Sequence, residues 1–397
     1  MRWGGTVLSN ERERRKEALQ IQMHALGADA FLVTSPVHLF YMTGRIFDGF
    51  YYVPAQGDAV ELIRRPLTPA QAGAIRLKSP AQLPDLLHGA GLPPPKHLAL
   101  EDRELPYAEY TYLSGLFPGA SILGGSALLY RIRMIKSPYE ISLLREGAKV
   151  HDETHRRIPS LYREGMTDWA FSVEIEHQIR RMGHLGIMRC AGIRLETCSA
   201  IVLSGDSAGS PSPYDYSLPG GGRHPSAPMG PDNHVMRPGD TVNVDFCGNI
   251  NGYLTDITRT YAVGYVKPEA AAAHAFSLSV MRAIEHTARP GVLCSDLYHL
   301  AWDMAESAGY ADCFMGTVQQ AKFIGHGIGL QVNELPVLTK SDATPLQSGM
   351  IIAIEPKLIC PGVGPVGAEN TYLVTEGGTE RLTLCNEDIA ILGHSKP

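Results

Sequence analysis

Five side chains in the second half of this sequence could share one chemistry: Asp245, Asp256, His326, Glu355 and Glu369. TVNVDF (241–246) alternates as a strand does, with Val242, Val244 and Phe246 on one face and Asn243 and Asp245 on the other. Asn251-Gly252 is a turn signal, and YLTDITRTYAV beyond it reads as the returning strand. With Asn251-Gly252 as a two-residue loop, Asp256 pairs opposite Cys247, diagonal to Asp245; with Ile250-Asn251 as the loop, it faces Asp245 directly. Either register puts both carboxylates on one face, within ~8 Å of each other. Two like charges that close are costly unless a cation lies between them. Two unrelated acids near a hairpin, one of them solvated at its edge, account for the pattern equally well.

Later segments add to the set. FIGHGIGLQVNELP (323–336) places His326 between glycines, which let the backbone approach a site closely, although an isolated histidine can be structural. MIIAIEPKL (350–358) reads as a buried strand whose apolar run is interrupted by Glu355. GAENTYLVTEGGTERLTL (367–384) reads as a hairpin turning at Gly377-Gly378, with Glu369 at the start of its first strand. A buried acid in an apolar strand is rarely tolerated without a partner. Four carboxylates and one histidine form a hard, oxygen-rich ligand set suited to Mn²⁺, Co²⁺, Fe²⁺ or Zn²⁺. Two divalent ions would bring those four carboxylates to zero net charge.

The elements that must position these groups follow an α/β pattern in two domains, residues 1–134 and 135–397, as the length of 397 residues favours. In the first domain a helix over Arg12–His24 precedes an apolar strand, ADAFLVTS (28–35). VHLFYMTGR, FYYVP, VELIRR and HLALED follow as further strand-like runs, alternating with helical stretches such as LTPAQAGAIRLK. LYRIRMIKSPYEISLLREGAKV (129–150) reads as a strand, a short linker and a helix opening at Ser137-Pro138. In 167–183, Phe171, Ile175, Ile179 and Met182 recur at helical spacing. Residues 204–239, dense in Gly, Pro and Ser, read as a functional rim or lid, or else as a plain surface excursion.

Composition removes several function classes. A net charge of -6 argues against nucleic-acid or acidic-membrane binding, and no run approaches the ~18 apolar residues of a membrane span. The first residues turn charged where a signal peptide would become apolar, which points to the cytoplasm. The seven cysteines include no CxxC pair and suit free, mostly buried thiols.

The chain resembles the pita-bread metallohydrolases, the family of prolidase, aminopeptidase P, methionine aminopeptidase and the metal-free creatinase. The likeness is carried by VDF...NGYLTDITRT, GHGIGL, AIEP, AENTYLVTEGGTERLT and the entry helix RMIKSPYEISLLREGAKV. GADAFLVTSPVHLFYMTGR is similar to the N-terminal domain of prolidase, aminopeptidase P and creatinase. The resemblance implies a ribonuclease-H-like first domain, a pita-bread second domain and a homodimer. It implies two divalent ions, manganese first, with Asp245 chelating one, Asp256 and Glu369 bridging, His326 ligating, and Glu355 both ligating and handling the proton of the attacking water. The implied reaction is hydrolysis of short peptides, most of all Xaa-Pro bonds. The alternatives are a lyase or non-peptide C–N hydrolase of the same fold, or a metal-free binding module.

Three positions depart from the family pattern. Asn333, in VNE, stands where peptidases have a second histidine; Asn can donate a hydrogen bond to an oxyanion but cannot shuttle a proton. Pro228-Met229-Gly230, displaced by one residue, is the best match to a Pro-His-Gly whose histidine helps place the substrate, which puts Met229 in its place, and His224 is the nearby histidine that could substitute. Gly367 stands where many members have arginine. Tyr214, Tyr216 and Arg223 on the Gly/Pro-rich stretch could set specificity or pack it. HDETH (151–155) has helical zinc-site spacing, but it lacks the Glu of HExxH, and a solvated helix face is the simpler account.

Overall fold

The structure is a computed structural model that describes residues 5–66, 73–192 and 196–393. It divides into two compact units, Met1–Arg133 and Met134–Pro397. In the first, helix α1 (Gly5–Leu26) leads into β1 (Ala30–Val33), α2 (Pro36–Thr43), β2 (Asp48–Pro54), β3 (Val60–Arg65) and β4 (Ile75–Arg76). Then come α3 (Leu83–Gly89), β5 (His97–Leu100), α4 (Tyr107–Gly115), β6 (Ser121–Gly124) and α5 (Ser126–Met134). The strands form one mixed sheet in the order β4-β3-β2-β1-β5-β6. Its core includes Leu32, Tyr52, Leu62, Leu98 and Leu100.

Three expectations for this unit change. VHLFYMTGR is helical: Pro36 opens α2 and Gly44, at φ +76°, closes it, so the end signals outweigh the strand-like composition. LYRIRM lies in α5 and is not a strand. In LTPAQAGAIRLK, residues 67–72 lie outside the described residues, and Ile75–Arg76 is a strand paired with β3.

The second unit opens with α6 (Pro138–Arg157), which starts at a reciprocal cap. Ser137 Oγ accepts from the Glu140 N–H at 3.2 Å, and the Glu140 carboxylate accepts from the Ser137 N–H at 2.9 Å. Helices α7 (Asp168–Arg181), α8 (Pro268–Thr287) and α9 (Cys294–Ser307) accompany two sheets. One runs β17-β9-β8-β7, from β7 (Ile201–Ser204), β8 (Thr241–Asn249), β9 (Leu254–Val263) and β17 (Ala390–Leu392). The other runs β11-β10-β12-β15-β16, from β10 (Phe323–Gly327), β11 (Glu334–Thr339), β12 (Ile351–Ile354), β15 (Asn370–Thr375) and β16 (Gly378–Arg381). A ribbon of β13 (Lys357–Cys360) and β14 (Gly364–Gly367) follows β12. The β15–β16 register pairs Thr375 with Gly378, so the turn lies one residue earlier than Gly377-Gly378.

Hydrogen bonds across the seam lock the two sheets together. Thr371 Oγ1 accepts from the Asp256 N–H at 2.8 Å and donates to the Asp256 carbonyl at 3.0 Å, and the Glu369 N–H donates to the Thr258 carbonyl at 3.1 Å. Cys313 and Cys360 are joined in a disulfide, which corrects the expectation of seven free thiols. The two cysteines lie 47 residues apart in sequence, and the Phe314–Leu358 bridge brings their segments together. Among the described residues no helix is long and apolar enough to cross a membrane.

HDETH is neither a zinc site nor a solvated face. The His151 and His155 rings pack on Phe246 at 4.5 and 4.6 Å, and Asp152 accepts from the Leu384 and Cys385 N–H groups. Burial, then neighbouring positive charge, holds both histidines well below the usual imidazole range. They are neutral when folded and take up protons once unfolded. Their contribution to stability is therefore complete above pH ~6.5 and declines as pH falls below it. His155→Phe, which keeps the stack, is expected to flatten the loss of stability between pH 6.5 and 5 by up to about 1.4 kcal/mol per pH unit. Urea unfolding across that range checks it; an unchanged slope would show that His155 is not among the groups that titrate on unfolding.

Candidate metal centre

Strand alternation sends Val242, Val244 and Phe246 into an apolar core and leaves Asp245 on the opposite face. Asp256 pairs opposite Cys247, the first of the two registers that the sequence allows, and Cys247 Sγ donates to Asp256 Oδ2 at 3.1 Å. From the other sheet, His326 comes from β10, Glu355 follows β12, and Glu369 precedes β15. All five expected residues therefore meet at the seam. The His326 Nδ1–H donates to the Gly327 carbonyl at 3.0 Å, which leaves Nε2 facing Glu355 Oε1 at 3.4 Å and Asp256 Oδ2 at 4.0 Å. Thr258 Oγ1 donates to Glu369 Oε2 at 2.7 Å. Behind it, the buried Arg259 guanidinium binds the carbonyls of Glu369, Thr258, Cys385 and Asn386 and the Asn370 side chain, all at 2.7–2.9 Å.

A sixth residue was missed. Lys357, fully buried at the start of β13, directs Nζ to Asp245 Oδ2 at 2.7 Å, Glu355 Oε2 at 2.8 Å and Glu369 Oε2 at 3.1 Å. The sequence did carry a signal: Lys357 lies two residues beyond Glu355, the spacing that brings side chains to one face of a strand. The expectation of two ions assumed that the four acids had no other counter-charge, and this ammonium provides one.

The charges divide the cluster. Burial would raise Glu355, but Lys357 and His326 outweigh it and hold the carboxyl down to about 2. Burial, with Asp245 adding to it against the pull of His326, pushes Asp256 up to about 7. Glu369 is raised well above the carboxylate range by burial and by Asp256. Burial alone would lower Lys357; the carboxylates of Asp245, Glu355 and Glu369 keep it well above its usual value.

One side of the cluster fits a divalent ion. Asp256 Oδ1 and Glu369 Oε1 are buried without a hydrogen-bond partner, an expensive state unless a ligand meets them. Asp256, His326 and Glu369 can each offer an atom within 4.8 Å of the others, a donor set suited to a hard or borderline cation. Asp245, Glu355 and Glu369 form a second such group, but it surrounds the lysine.

Asn333 lines the cavity over these residues, together with Tyr216, Cys198, Ile201 and Phe323. Its φ of +62° is a left-handed conformation that Asn and His both tolerate better than most residues. Four other expected residues stand outside the cavity lining. His224 is exposed and bonded to Ser226 Oγ at 2.7 Å, and Met229 is buried elsewhere. The Arg223 guanidinium lies over the Trp169 ring at 4.5 Å, and Tyr214 OH donates to Glu196 at 3.2 Å. Nearness in sequence to the site does not bring them into it: the loop over 219–230, which carries His224, Met229 and Arg223, folds on itself, and Tyr214 is held at Glu196. Gly367 has a local cause. It pairs with Lys357 at φ +136°, and a Cβ there would meet the Lys357 Cα and the Pro356 carbonyl at 2.9 Å, so no arginine fits.

Comparison with known proteins agrees with this architecture. The family model described as metallopeptidase family M24 matches residues 142–376, and the creatinase/prolidase N-terminal domain matches residues 15–135. A Bacillus subtilis (strain 168) protein named YkvY is 30% identical over 295 residues, 74% of this chain and 73% of that one. The Xaa-Pro dipeptidase of Lactobacillus helveticus is 27% identical over 295 residues, 74% of this chain and 72% of that one. A solved Xaa-Pro dipeptidase from Bacillus anthracis superposes with a TM-score of 0.78 at 24% identity, over 96% of this chain and 100% of that one. The expected two-domain fold matches that of the solved dipeptidase, with the creatinase/prolidase N-terminal domain ahead of the M24 domain. The chain belongs to metallopeptidase family M24 and carries a creatinase/prolidase N-terminal domain ahead of its M24 domain.

Proposed function

We propose that this M24 metallopeptidase hydrolyses short peptides at Xaa-Pro bonds, with a divalent ion, manganese first, held by Asp256, His326 and Glu369. One observation carries the proposal: the five acid and histidine residues converge in a buried cavity that leaves two carboxylate oxygens unpartnered. Xaa-Pro dipeptidases among the relatives support the substrate class. When bound, the ion supplies Lewis acidity toward the amide carbonyl and makes water a nucleophile at neutral pH. Glu355, kept ionised by Lys357 and His326, is the acceptor we assign to the proton of that water. His326 orients through its Gly327 hydrogen bond and presents Nε2 to the centre. Asn333 offers an amide N–H to the substrate oxygen in place of an imidazolium. A non-peptide C–N hydrolase or a lyase is the second reading, favoured by Lys357 inside the ligand set.

Asp256→Asn and Glu369→Gln are expected to lose metal and activity together, whereas inactivity with the ion retained would give these residues another role. A panel of Xaa-Pro dipeptides and tripeptides with Mn²⁺ tests the substrate. Wild-type turnover is expected below the ordinary ~1–1000 s⁻¹, since removing one charge-stabilising donor typically costs ~10²–10³ in rate. Asn333→His is expected to raise it at least about tenfold at unchanged metal content, as a partial recovery of that loss. If neither form cleaves any member of the panel, the peptidase assignment falls.

A further inference from the structure

Asp245, Glu355 and Glu369 already share a cation that belongs to the chain. Lys357 Nζ stands 2.7, 2.8 and 3.1 Å from one oxygen of each, so three N–H donors meet three acceptors in a fully buried position. A divalent ion bound by the same oxygens would stand about 2.0–2.2 Å from each, within the space the ammonium fills. The two positive charges would also confront each other there. Moving the lysine aside would leave a buried ammonium without its partners, which is strongly unfavourable. The opposite side of the cluster differs. Asp256 Oδ1 and Glu369 Oε1 have no partner there, and His326 Nε2 faces the same space.

We propose that Lys357 is the resident second cation of this centre, so that the chain takes up one divalent ion, between Asp256, His326 and Glu369, in place of two. The inference rests on the metallopeptidase assignment of the same residues. With one ion and the ammonium, the four carboxylates keep a net negative charge; a second ion would reverse its sign inside a buried site. Asp245 then serves to hold the lysine rather than to ligate metal, and the β13–β14 pairing that requires Gly367 opposite Lys357 belongs to the same arrangement.

Metal counting tests this without reference to turnover. The full chain, stripped with EDTA, is titrated with Mn²⁺ by calorimetry, and bound metal is measured by elemental analysis after desalting. One equivalent is expected for wild type and for Asp245→Asn, almost none for Asp256→Asn, and two for Lys357→Gly. Two equivalents on wild type overturn the proposal, as does a single equivalent on a Lys357→Gly variant shown to be folded by circular dichroism. If that variant does not fold, the wild-type count and the contrast between Asp245→Asn and Asp256→Asn decide; loss of the ion from Asp245→Asn alone overturns the proposal. The peptide panel is a separate readout. One ion without Xaa-Pro cleavage removes the substrate assignment and leaves Lys357 in its role, and two ions with cleavage do the reverse.

Discussion

An ammonium enclosed by three carboxylates at the meeting of two sheets is the contact on which the second unit depends. Four acids close together in an apolar interior would force the sheets apart. Lys357 offsets part of that repulsion from within the chain, and it does so only if three backbones hold their carboxylates at hydrogen-bonding distance from one point. The surrounding polar network holds them there. Thr371 clamps the Asp256 backbone from both sides, Thr258 holds Glu369 by side chain and main chain, and the Glu355 N–H is tied to the Ile324 carbonyl.

The wall of the cavity shows the same economy. Glu334 accepts from the Leu330 and Gln331 N–H groups and pairs with Lys136, so the turn carrying Asn333 is fixed at its base. Asn333 itself sits in a backbone conformation that few side chains adopt readily. Positions 357 and 367 form one arrangement: a lysine on one strand and, opposite it, a residue without a Cβ.

Much of this centre was legible in the sequence because it is written in strands. Period-two alternation and the Asn-Gly turn put Asp245 and Asp256 on one face, and Glu355 and Glu369 announced themselves as acids in apolar runs. Lys357 followed the same period but was read as part of the apolar run around Glu355. The errors came where one local signal overruled another. Residues 37–45 and 129–134 read as strands, while Pro36 and Gly44 bound a helix in the first and the second lies in α5. His224, Arg223 and Tyr214 rest on nearness along the chain and Met229 on a displaced match to a family motif, and an irregular loop gives neither a fixed spatial meaning. The Cys313–Cys360 pairing had no spacing pattern to betray it.

Arg259 ties the centre to distant chain. The same guanidinium that grips the Glu369 carbonyl takes two of its acceptors from Cys385 and Asn386, and β17 beyond them pairs with the strand that carries Asp256. A chain cut before residue 385 would carry all five candidate ligand residues and still lack the struts behind Glu369 and Asp256. The segment after Glu369 is thus part of the frame around the centre: removing residues 385–392 takes away two acceptors of Arg259 and the strand that pairs with β9.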